Sequence, residues 1–335
     1  MNSGIVTTNG FISWLKTYSG RINITEKAEK YSREMLGDHQ FPLIKNVKEV
    51  LFPSYDRVYQ YRWDQKGWKL NDLAVPATPT LLVALPCEAR AIFEVLDRVF
   101  RKEDSIDSGY QQRRQDLSLV IFGCTAAPEP TCFCTRVGGN GLWTHPEALF
   151  VLPVSSGLYI ETENTVFSGL MNEAKPVEEA TRKQIQELNK KAQEKMREDT
   201  LPQETPQALY DLFHDPEWEN IAWKCLNCGA CTFLCPTCYC FDLSTEGRLK
   251  GYQLKTWDAC MFPKFTLHAS GHNPRPGYKE RVRQRVLHKF AYFPLREEGR
   301  YGCVGCGKCV EICPVNWDIR DVVERMVKKI GSGTR

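Results

Sequence analysis

Two runs of four cysteines constrain this chain more than any other feature of its sequence. The first run is Cys225-x-x-Cys228-x-x-Cys231-x-x-x-Cys235-Pro236, and Cys303-x-x-Cys306-x-x-Cys309-x-x-x-Cys313-Pro314 repeats it near the end of the chain. In bacterial ferredoxins with this spacing, three thiolates of a run bind one [4Fe–4S] cluster and the fourth binds the other cluster. We therefore predict one cluster on Cys225, Cys228, Cys231 and Cys313, and a second on Cys303, Cys306, Cys309 and Cys235.

Zinc and disulfides are the alternatives for cysteines at such spacing. A lone C-x-x-C pair serves zinc equally well, so a zinc-organised scaffold is the non-redox alternative. Here, however, the triplet occurs twice, both copies end in Cys-Pro, and Gly229, Gly305 and Gly307 fall where a loop must fold tightly over a cofactor. Disulfides are disfavoured because the sequence does not open with the charged and then apolar leader of a secreted protein. We expect metal-bound thiolates in the cytoplasm.

Length and composition predict an ordinary globular protein with two domains. The chain has 335 residues, of which 42% are hydrophobic and 25% charged, and its formal net charge is only +3. Such a small charge, with basic and acidic residues interleaved, gives no support for a nucleic-acid partner. No apolar run approaches the roughly twenty residues of a membrane span. Fifteen cysteines are unusual, because the two ferredoxin-type runs use only eight of them.

The amino-terminal half has the pattern of an α/β domain. Alternation from Val58 to Leu70 around a turn at residues 64–67 predicts a hairpin. The apolar runs Thr80–Leu85 and Leu117–Phe122 flank a helical pattern over Glu88–Phe100, which together predict a β-α-β unit with parallel strands. Further strands are expected at residues 149–153 and 158–161. A highly charged helix is expected within residues 172–200.

Four further cysteines follow these predicted strands. Cys87 lies just past the first strand and Cys124 just past the second, so both are expected at the carboxyl edge of an open sheet, where such sheets bind ligands. A loop with Cys132 and Cys134 comes soon after. The first two could be explained as packed thiols, but a turn-rich C-x-C loop would leave its thiols exposed. We predict a third [4Fe–4S] cluster on Cys87, Cys124, Cys132 and Cys134.

The segment between the two cysteine runs, residues 237–302, is longer than in a small ferredoxin. It contains Cys238, Cys240 and Cys260, which either hold a fourth cluster together with a non-cysteine ligand (Asp258, His268, His272 or His288) or are packed thiols. The basic stretch Tyr278–Lys289 is interpreted first as a solvated helix face and second as a docking surface for an acidic partner. A periodic apolar pattern from Ile319 to Ile330 predicts a final helix that starts just after Cys313-Pro314, with Asn316 as its N-cap.

These patterns together predict an α+β protein. An amino-terminal α/β domain with a mixed sheet is expected over residues 1–170 and a charged linking helix over 171–204. A helical, dicluster ferredoxin-like domain is expected over 205–335, with the insertion at 237–302.

The sequence also resembles a known family over residues 80–335. The resemblance is carried, in order, by Leu85-Pro86-Cys87-Glu88-Ala89-Arg90-Ala91, Thr131-Cys132-Phe133-Cys134, Cys235-Pro236-Thr237-Cys238-Tyr239-Cys240-Phe241-Asp242, Trp257-Asp258-Ala259-Cys260, Gly271-His272-Asn273 and the second cysteine run. They are similar to a family of iron–sulfur subunits found in anaerobic sulfite reductase and, as the beta subunit, in nickel–iron sulfhydrogenases. The family has Arg-Pro-Cys-Asp in the first motif, so Leu85 replaces a positive charge beside the expected third cluster.

The resemblance implies an electron-transfer subunit that relays electrons between a flavin subunit handling NAD(P)H and a catalytic metalloenzyme subunit of the hydrogenase or sulfite reductase type. The residues themselves give no flavin fingerprint and no pair of C-x-x-C motifs placed to hold nickel and iron. A subunit without catalysis of its own is therefore expected. The alternative is a stand-alone iron–sulfur reductase of the cobalamin-assisted type, which also pairs two such clusters.

Overall fold

A computed structural model describes residues 2–36, 41–73 and 75–332, which contain two sheets and the helices that pack with them. The strands are β1 Asn2–Val6, β2 Arg21–Thr25, β3 Leu43–Ile44, β4 Tyr55–Asp64, β5 Gly67–Asp72, β6 Thr80–Ala84, β7 Leu117–Phe122, β8 Ala148–Val154, β9 Gly157–Thr162, β10 Phe241–Gly247 and β11 Lys250–Trp257. The helices are α1 Thr8–Thr17, α2 Glu26–Leu36, α3 Lys48–Leu51, α4 Pro86–Arg90, α5 Asp97–Phe100, α6 Ser108–Gln115, α7 Ser168–Asn172, α8 Glu179–Asp199, α9 Thr205–Asp211, α10 Glu217–Ala222, α11 Ala230–Phe233, α12 Tyr278–Leu287, α13 Phe293–Arg296, α14 Lys308–Glu311 and α15 Ile319–Ser332.

The chain divides into two compact units, and the first comprises residues 1–51 and 76–200. Its sheet has the strand order β1-β9-β8-β7-β6-β2-β3. Neighbours from β8 to β3 are parallel, whereas β8 with β9 and β9 with β1 are antiparallel. The central strands β6 and β7 are buried along their whole length, as expected for parallel strands covered on both faces. The predicted mixed sheet is thus confirmed.

The β-α-β prediction is also confirmed, because β6 and β7 pair in parallel with Thr80 opposite Leu117. The helix between them begins with Pro86 at α4 and ends with α5, and a π-helical turn at Ala91–Leu96 joins the two. Three strands before residue 51, β1, β2 and β3, were not predicted. They add to the sheet on both sides of the predicted strands, and their inward residues Val6 and Ile24 belong to its core.

The second unit comprises residues 52–75 and 201–335. It contains an antiparallel sheet of order β10-β11-β4-β5. The predicted hairpin β4–β5 is present, with Trp63 opposite Trp68, but it belongs to this unit, whereas the predicted boundaries placed it in the amino-terminal domain. Helix α8, expected as a linker, belongs to the first unit. No helix in the described ranges is long and apolar enough to cross a membrane.

One detail of the final helix differs from the prediction. Asn316 has a left-handed backbone, with φ of 51°, and lies before the helix. The backbone carbonyl of Asp318 accepts from the N–H of Val322, and its carboxylate accepts from the N–H of Arg320 at 2.8 Å. Because an N-cap side chain accepts from the first turn of its helix, Asp318 has this role and the prediction of Asn316 was wrong.

Candidate metal centres

The first cysteine loop is turned by two residues with left-handed backbone. Asn227 has a φ of 52° and Gly229 a φ of 77°, and Gly229 then caps α11. A Cβ atom on Gly229 would lie 2.6 Å from the Phe262 ring, so both the backbone and the space require glycine. The turn directs the backbone N–H of Asn227 to the Sγ of Cys225, at 3.4 Å. The loop therefore curls around its own cysteines.

The second cysteine loop repeats this conformation. Gly305 has a φ of 64° and Gly307 a φ of 82°, and Gly307 caps α14 as Gly229 caps α11. The N–H of Gly305 donates to the Sγ of Cys303 at 3.4 Å. Asn227 thus takes the position that glycine has in the repeat, which asparagine tolerates better than other side chains.

The four thiols predicted for the first cluster line one cavity of about 460 Å³. Cys225, Cys228 and Cys231 come from the first loop and Cys313 from the second run. Trp317 fixes the second run: its backbone N–H donates to the Sγ of Cys313 at 3.1 Å, and its indole Nε1 donates to the carbonyl of Ile221 at 2.8 Å. The structure thus brings these four thiols together across the two runs.

The thiols predicted for the second cluster are more deeply placed. Cys235, Cys303 and Cys306 are buried. Burial raises the pKa of Cys303 to about 12, and the charges of Cys235 and Cys309 act in the same direction, so these three thiols are close neighbours. Cys309 also lines the cavity of the first set. The two predicted sets of cysteines are therefore adjacent, and Cys309 forms a wall between them.

The arrangement of the first set is the one that a ferredoxin-type cluster requires. Three of its thiols come from one run and the fourth from the other run, and all four line one cavity. Ferredoxins with this cysteine spacing exchange their fourth ligand in the same way. In the described part of the chain, no group of three or more His, Cys, Asp or Glu side chains is arranged to hold a single metal ion.

Helix α12 and the turn after it place a stripe of basic residues against these thiols. Arg281, Arg285 and Lys289 are spaced by four residues, so they share one helix face, and all three are buried. The prediction of a solvated helix face is therefore wrong for this side of the helix. Arg281 donates to the Asn227 side chain at 3.0 Å and so supports the first loop. A docking surface would need these charges exposed.

Arg285 is the most deeply placed of these cations. It is 3% exposed and lines the cavity of the first set as well as a second cavity described below. Its Nε and Nη2 atoms have no hydrogen-bond acceptor in the part of the chain that the structure describes. Burial opposes the charge, but the thiolates of Cys231 and Cys309 outweigh it and raise the pKa of Arg285. A buried cation with unmet donors fits an anionic group between these thiols.

Lys289 faces the second set of thiols. Its Nζ donates to the Sγ of Cys235 at 3.3 Å, to the Thr237 hydroxyl at 2.8 Å and to the Gly302 carbonyl at 3.0 Å. Burial would lower the pKa of Lys289, but the thiolates of Cys235 and Cys238 raise it well above its usual value. A hydrogen bond with Cys238 lowers the pKa of Cys235 despite its burial, and the Lys289 charge lowers it further.

Cys238, Cys240 and Cys260 line the second cavity, of about 350 Å³. Of the four non-cysteine ligands considered for this segment, His288 lines the same cavity. The Asp258 carboxylate instead accepts from the backbone N–H of Ala259 at 2.6 Å. His268 and His272 contact one another, with ring centroids 5.4 Å apart. Both lie outside the set of residues that lines this cavity.

In the first unit, three of the four predicted thiols converge. Burial raises the pKa of Cys124 to about 12, and the charges of Cys134 and Cys132 add to this effect. Cys87 opens α4 directly after β6, and Cys124 follows β7. Because these strands are parallel neighbours, both cysteines lie at the same edge of the sheet. Cys87 and Cys124 thus lie at the predicted edge, and Cys132 and Cys134 lie near Cys124.

Two buried cations accompany these thiols. Lys27 donates to the Sγ of Cys132 at 3.1 Å. Burial raises the pKa of Cys134, and the nearby charge of Arg90, which is 4% exposed, opposes this rise. Gly139 leaves room for the Arg90 guanidinium, because a Cβ there would clash with it. The Nη1 of Arg90 has no acceptor among the described residues. The positive charge missing at Leu85 is therefore supplied by other residues.

Sequence reasoning missed these cations, although two signals were available. Arg281, Arg285 and Lys289 recur every fourth residue within a helical pattern, and such a spacing places them on one face. Arg90 follows Cys87 by three residues in the predicted helix and lies within one turn of it. Lys27 had no comparable signal, because its contact with Cys132 spans 105 residues.

Comparisons with known proteins agree with this geometry. A family model described as "4Fe-4S dicluster domain" matches residues 224–317. Sulfhydrogenase 2 subunit beta of Pyrococcus furiosus is 30% identical over 242 residues, which cover 68% of this chain and 68% of that protein. No solved structure matches the chain.

Two cysteine runs that meet across a shared wall, within a matched dicluster domain, define an iron–sulfur protein of the electron-transfer class. The chain belongs to the family of iron–sulfur subunits that includes sulfhydrogenase 2 subunit beta. The resemblance predicted from the sequence is confirmed.

Proposed function

We propose that this chain is the electron-transfer subunit of a multisubunit oxidoreductase. The observation that carries the proposal is the wall shared by the two thiol sets, since Cys309 of the second set borders the cavity of the first. A [4Fe–4S] cluster supplies one-electron transfer when it is bound. Two such groups held side by side form a relay, and the relay requires no substrate pocket.

The residues of the chain would hold the clusters, shield them from water and adjust their potentials. The proposed ligands are Cys225, Cys228, Cys231 and Cys313 for the first cluster and Cys303, Cys306, Cys309 and Cys235 for the second. Backbone N–H groups directed at Cys225, Cys303 and Cys313 stabilise thiolate charge. Arg285 and Lys289 add positive charge in a buried environment, where its effect is least screened.

A third cluster is proposed in the first unit on Cys87, Cys124, Cys132 and Cys134. The buried Nη1 of Arg90, which lacks an acceptor among the described residues, supports an anionic group there. Lys27 supports it as well, through its contact with Cys132. A set of merely packed thiols would not require a buried lysine in contact with the Sγ of Cys132.

The proposed partners are a flavin subunit that handles NAD(P)H and a catalytic metalloenzyme subunit, in the cytoplasm. The name of the relative, a beta subunit of a sulfhydrogenase, supports a hydrogenase-type partner. The alternative of a stand-alone, cobalamin-assisted reductase is not favoured by this relative. A corrinoid bound to the purified chain would distinguish this reductase from an electron-transfer subunit.

The test uses the full chain, expressed alone and loaded with iron and sulfide under anaerobic conditions. A strong reductant should reduce its clusters, whereas NADH and NADPH should be oxidised only after the flavin subunit is added. The matched control is the same chain with Cys228→Ser, which should lose part of the reducible iron and slow transfer from the flavin subunit. Steady oxidation of NAD(P)H by the chain on its own would contradict the relay.

A further inference from the structure

We propose that the cavity lined by Cys238, Cys240 and Cys260 holds an additional iron–sulfur cluster, distinct from the two of the dicluster motif. The inference rests on the proposed function, because the site would serve as a further station of the same relay. These three cysteines belong to neither of the two cysteine runs. The 4Fe-4S dicluster domain that matches this part of the chain accounts for two clusters only.

The hairpin β10–β11 brings two of these cysteines together. Phe241 pairs with Trp257 at the open end of the hairpin, and the N–H of Asp258 donates to the carbonyl of Cys240 at 3.0 Å. Cys260 follows two residues later and lines the same cavity as Cys240. A hairpin whose open end is fixed in this way holds two thiols that are distant in the sequence at one place.

The third thiol, that of Cys238, lines the same cavity. Cys238 comes directly after the first cysteine run, and its N–H donates to the carbonyl of Cys235 at 3.3 Å. The turn places Cys238 on the cavity wall while Cys235 faces Lys289. Three thiols from two segments therefore surround a single space.

The charges around this cavity indicate an anionic occupant. Arg285 and Lys289 both line it, and both are at least nine-tenths buried. Arg285 has two nitrogen atoms, Nε and Nη2, without an acceptor in the described residues, and it borders this cavity as well as that of the first cluster. Buried cations are retained where a charge or an acceptor compensates them. Sulfide and thiolate of a cluster on each side would supply acceptors for both nitrogens.

The cavity also has the lining that a cluster needs. His288 lines it with the three cysteines, and its Nε2 lies 3.0 Å from the Tyr239 hydroxyl. We assign the other ring nitrogen of His288, Nδ1, as the fourth ligand. A disulfide between Cys240 and Cys260 would use two of the three thiols and leave Arg285 without an anionic group on this side.

The place of the site explains what it would do in the relay. Arg285 is common to this cavity and that of the first cluster, and Lys289 is common to this cavity and the second set of thiols. The additional cluster would therefore adjoin both clusters of the dicluster motif. Electrons could enter or leave the pair through this additional position.

The test compares the full native chain with a variant carrying Cys238→Ser, Cys240→Ser and Cys260→Ser, both loaded anaerobically. The variant should hold about four fewer irons and four fewer sulfides per chain. The electron paramagnetic resonance spectrum of the reduced variant should lack the signal of one cluster. It should also lack the magnetic coupling between that cluster and its neighbours. A triple variant with native iron content and a native spectrum would overturn the proposal.

A single, conservative change covers the case in which the triple variant fails to fold. Cys260→Ser should leave the two dicluster signals in place and change only the additional component, and His288→Ala should change the same component. The matched control is Cys228→Ser, which should alter a different component. If Cys260→Ser and His288→Ala leave every component unchanged, the site is refuted. The relay through the two dicluster sites would stand in that case.

Discussion

Replacing Arg285 with methionine should lower the reduction potential of the first cluster. The substitution removes a buried positive charge but keeps an unbranched side chain of similar length. Reduction adds one negative charge to the cluster, and a nearby cation stabilises that charge. The guanidinium lines the cavity of the first cluster and is only 3% exposed. Its loss therefore makes reduction harder.

The size of the shift follows from Coulomb's law. At an effective dielectric constant of about 20 and a separation of roughly 6 Å, one unit charge contributes about 2.8 kcal/mol. For a single electron this is roughly 120 mV. The hydrogen bonds that Nε and Nη2 could give to sulfur would add to this figure, because such bonds also raise cluster potentials.

The assay is a redox titration of the loaded full chain, followed by the magnetic resonance signal of the reduced cluster. Lys279→Met is the matched control, since Lys279 lies on the same helix but its side chain is 38% exposed. Its loss should shift the potential by less than about 20 mV, because solvent and salt screen exposed charges. Arg285→Lys should keep most of the charge effect. A shift in Arg285→Met no larger than in Lys279→Met would refute the reasoning.

Three further predictions concern other parts of the chain. Cys235→Ser should alter the cluster of Cys303, Cys306 and Cys309 and spare that of Cys225, Cys228 and Cys231; a spectrum in which only the latter changes would contradict the exchange of ligands. Cys132→Ala in the full chain should remove about four irons, whereas Lys27→Met should keep them but lower the potential of the third cluster; unchanged iron in Cys132→Ala would mean that these thiols only pack. Burial lowers the pKa of His145, which stacks on Phe93 with ring centroids 3.8 Å apart, so the unfolded state binds a proton at a higher pH than the folded state. The free energy of unfolding should therefore fall as the pH drops below about 6.5, and the slope should be smaller in His145→Gln when measured by urea denaturation.

The parts of the fold that the sequence predicted are those with a strong local pattern. Strands β6 and β7 are continuous apolar runs because both of their faces are covered. Strands β10 and β11 escaped prediction for the opposite reason. Every residue of β10 is exposed, so it has no apolar face that a sequence pattern could reveal, and its pairing with β11 depends on tertiary structure.

In the candidate sites, too, the residues with a fixed sequence pattern were predicted and those without one were not. The cysteines were found because iron–sulfur ligands follow a fixed spacing. The cations beside them were missed because lysine and arginine are common on exposed helix faces, and a pattern cannot tell an exposed charge from one buried against a cluster. Arg285 became recognisable only when its burial and its unmet donors were known.

The position of the hairpin β4–β5 has a consequence for synthesis of the chain. Strand β4 ends at Asp64, but its partner β11 begins at Lys250, roughly 190 residues later. At about 5–20 residues per second, the ribosome needs on the order of 10–40 s to deliver the partner. During that time one edge of the hairpin is unpaired and Trp63 and Trp68 are exposed, and even the folded chain leaves them about half exposed. An unpaired, aromatic strand edge promotes aggregation, so yields of the recombinant protein should rise with slower translation or with added chaperones.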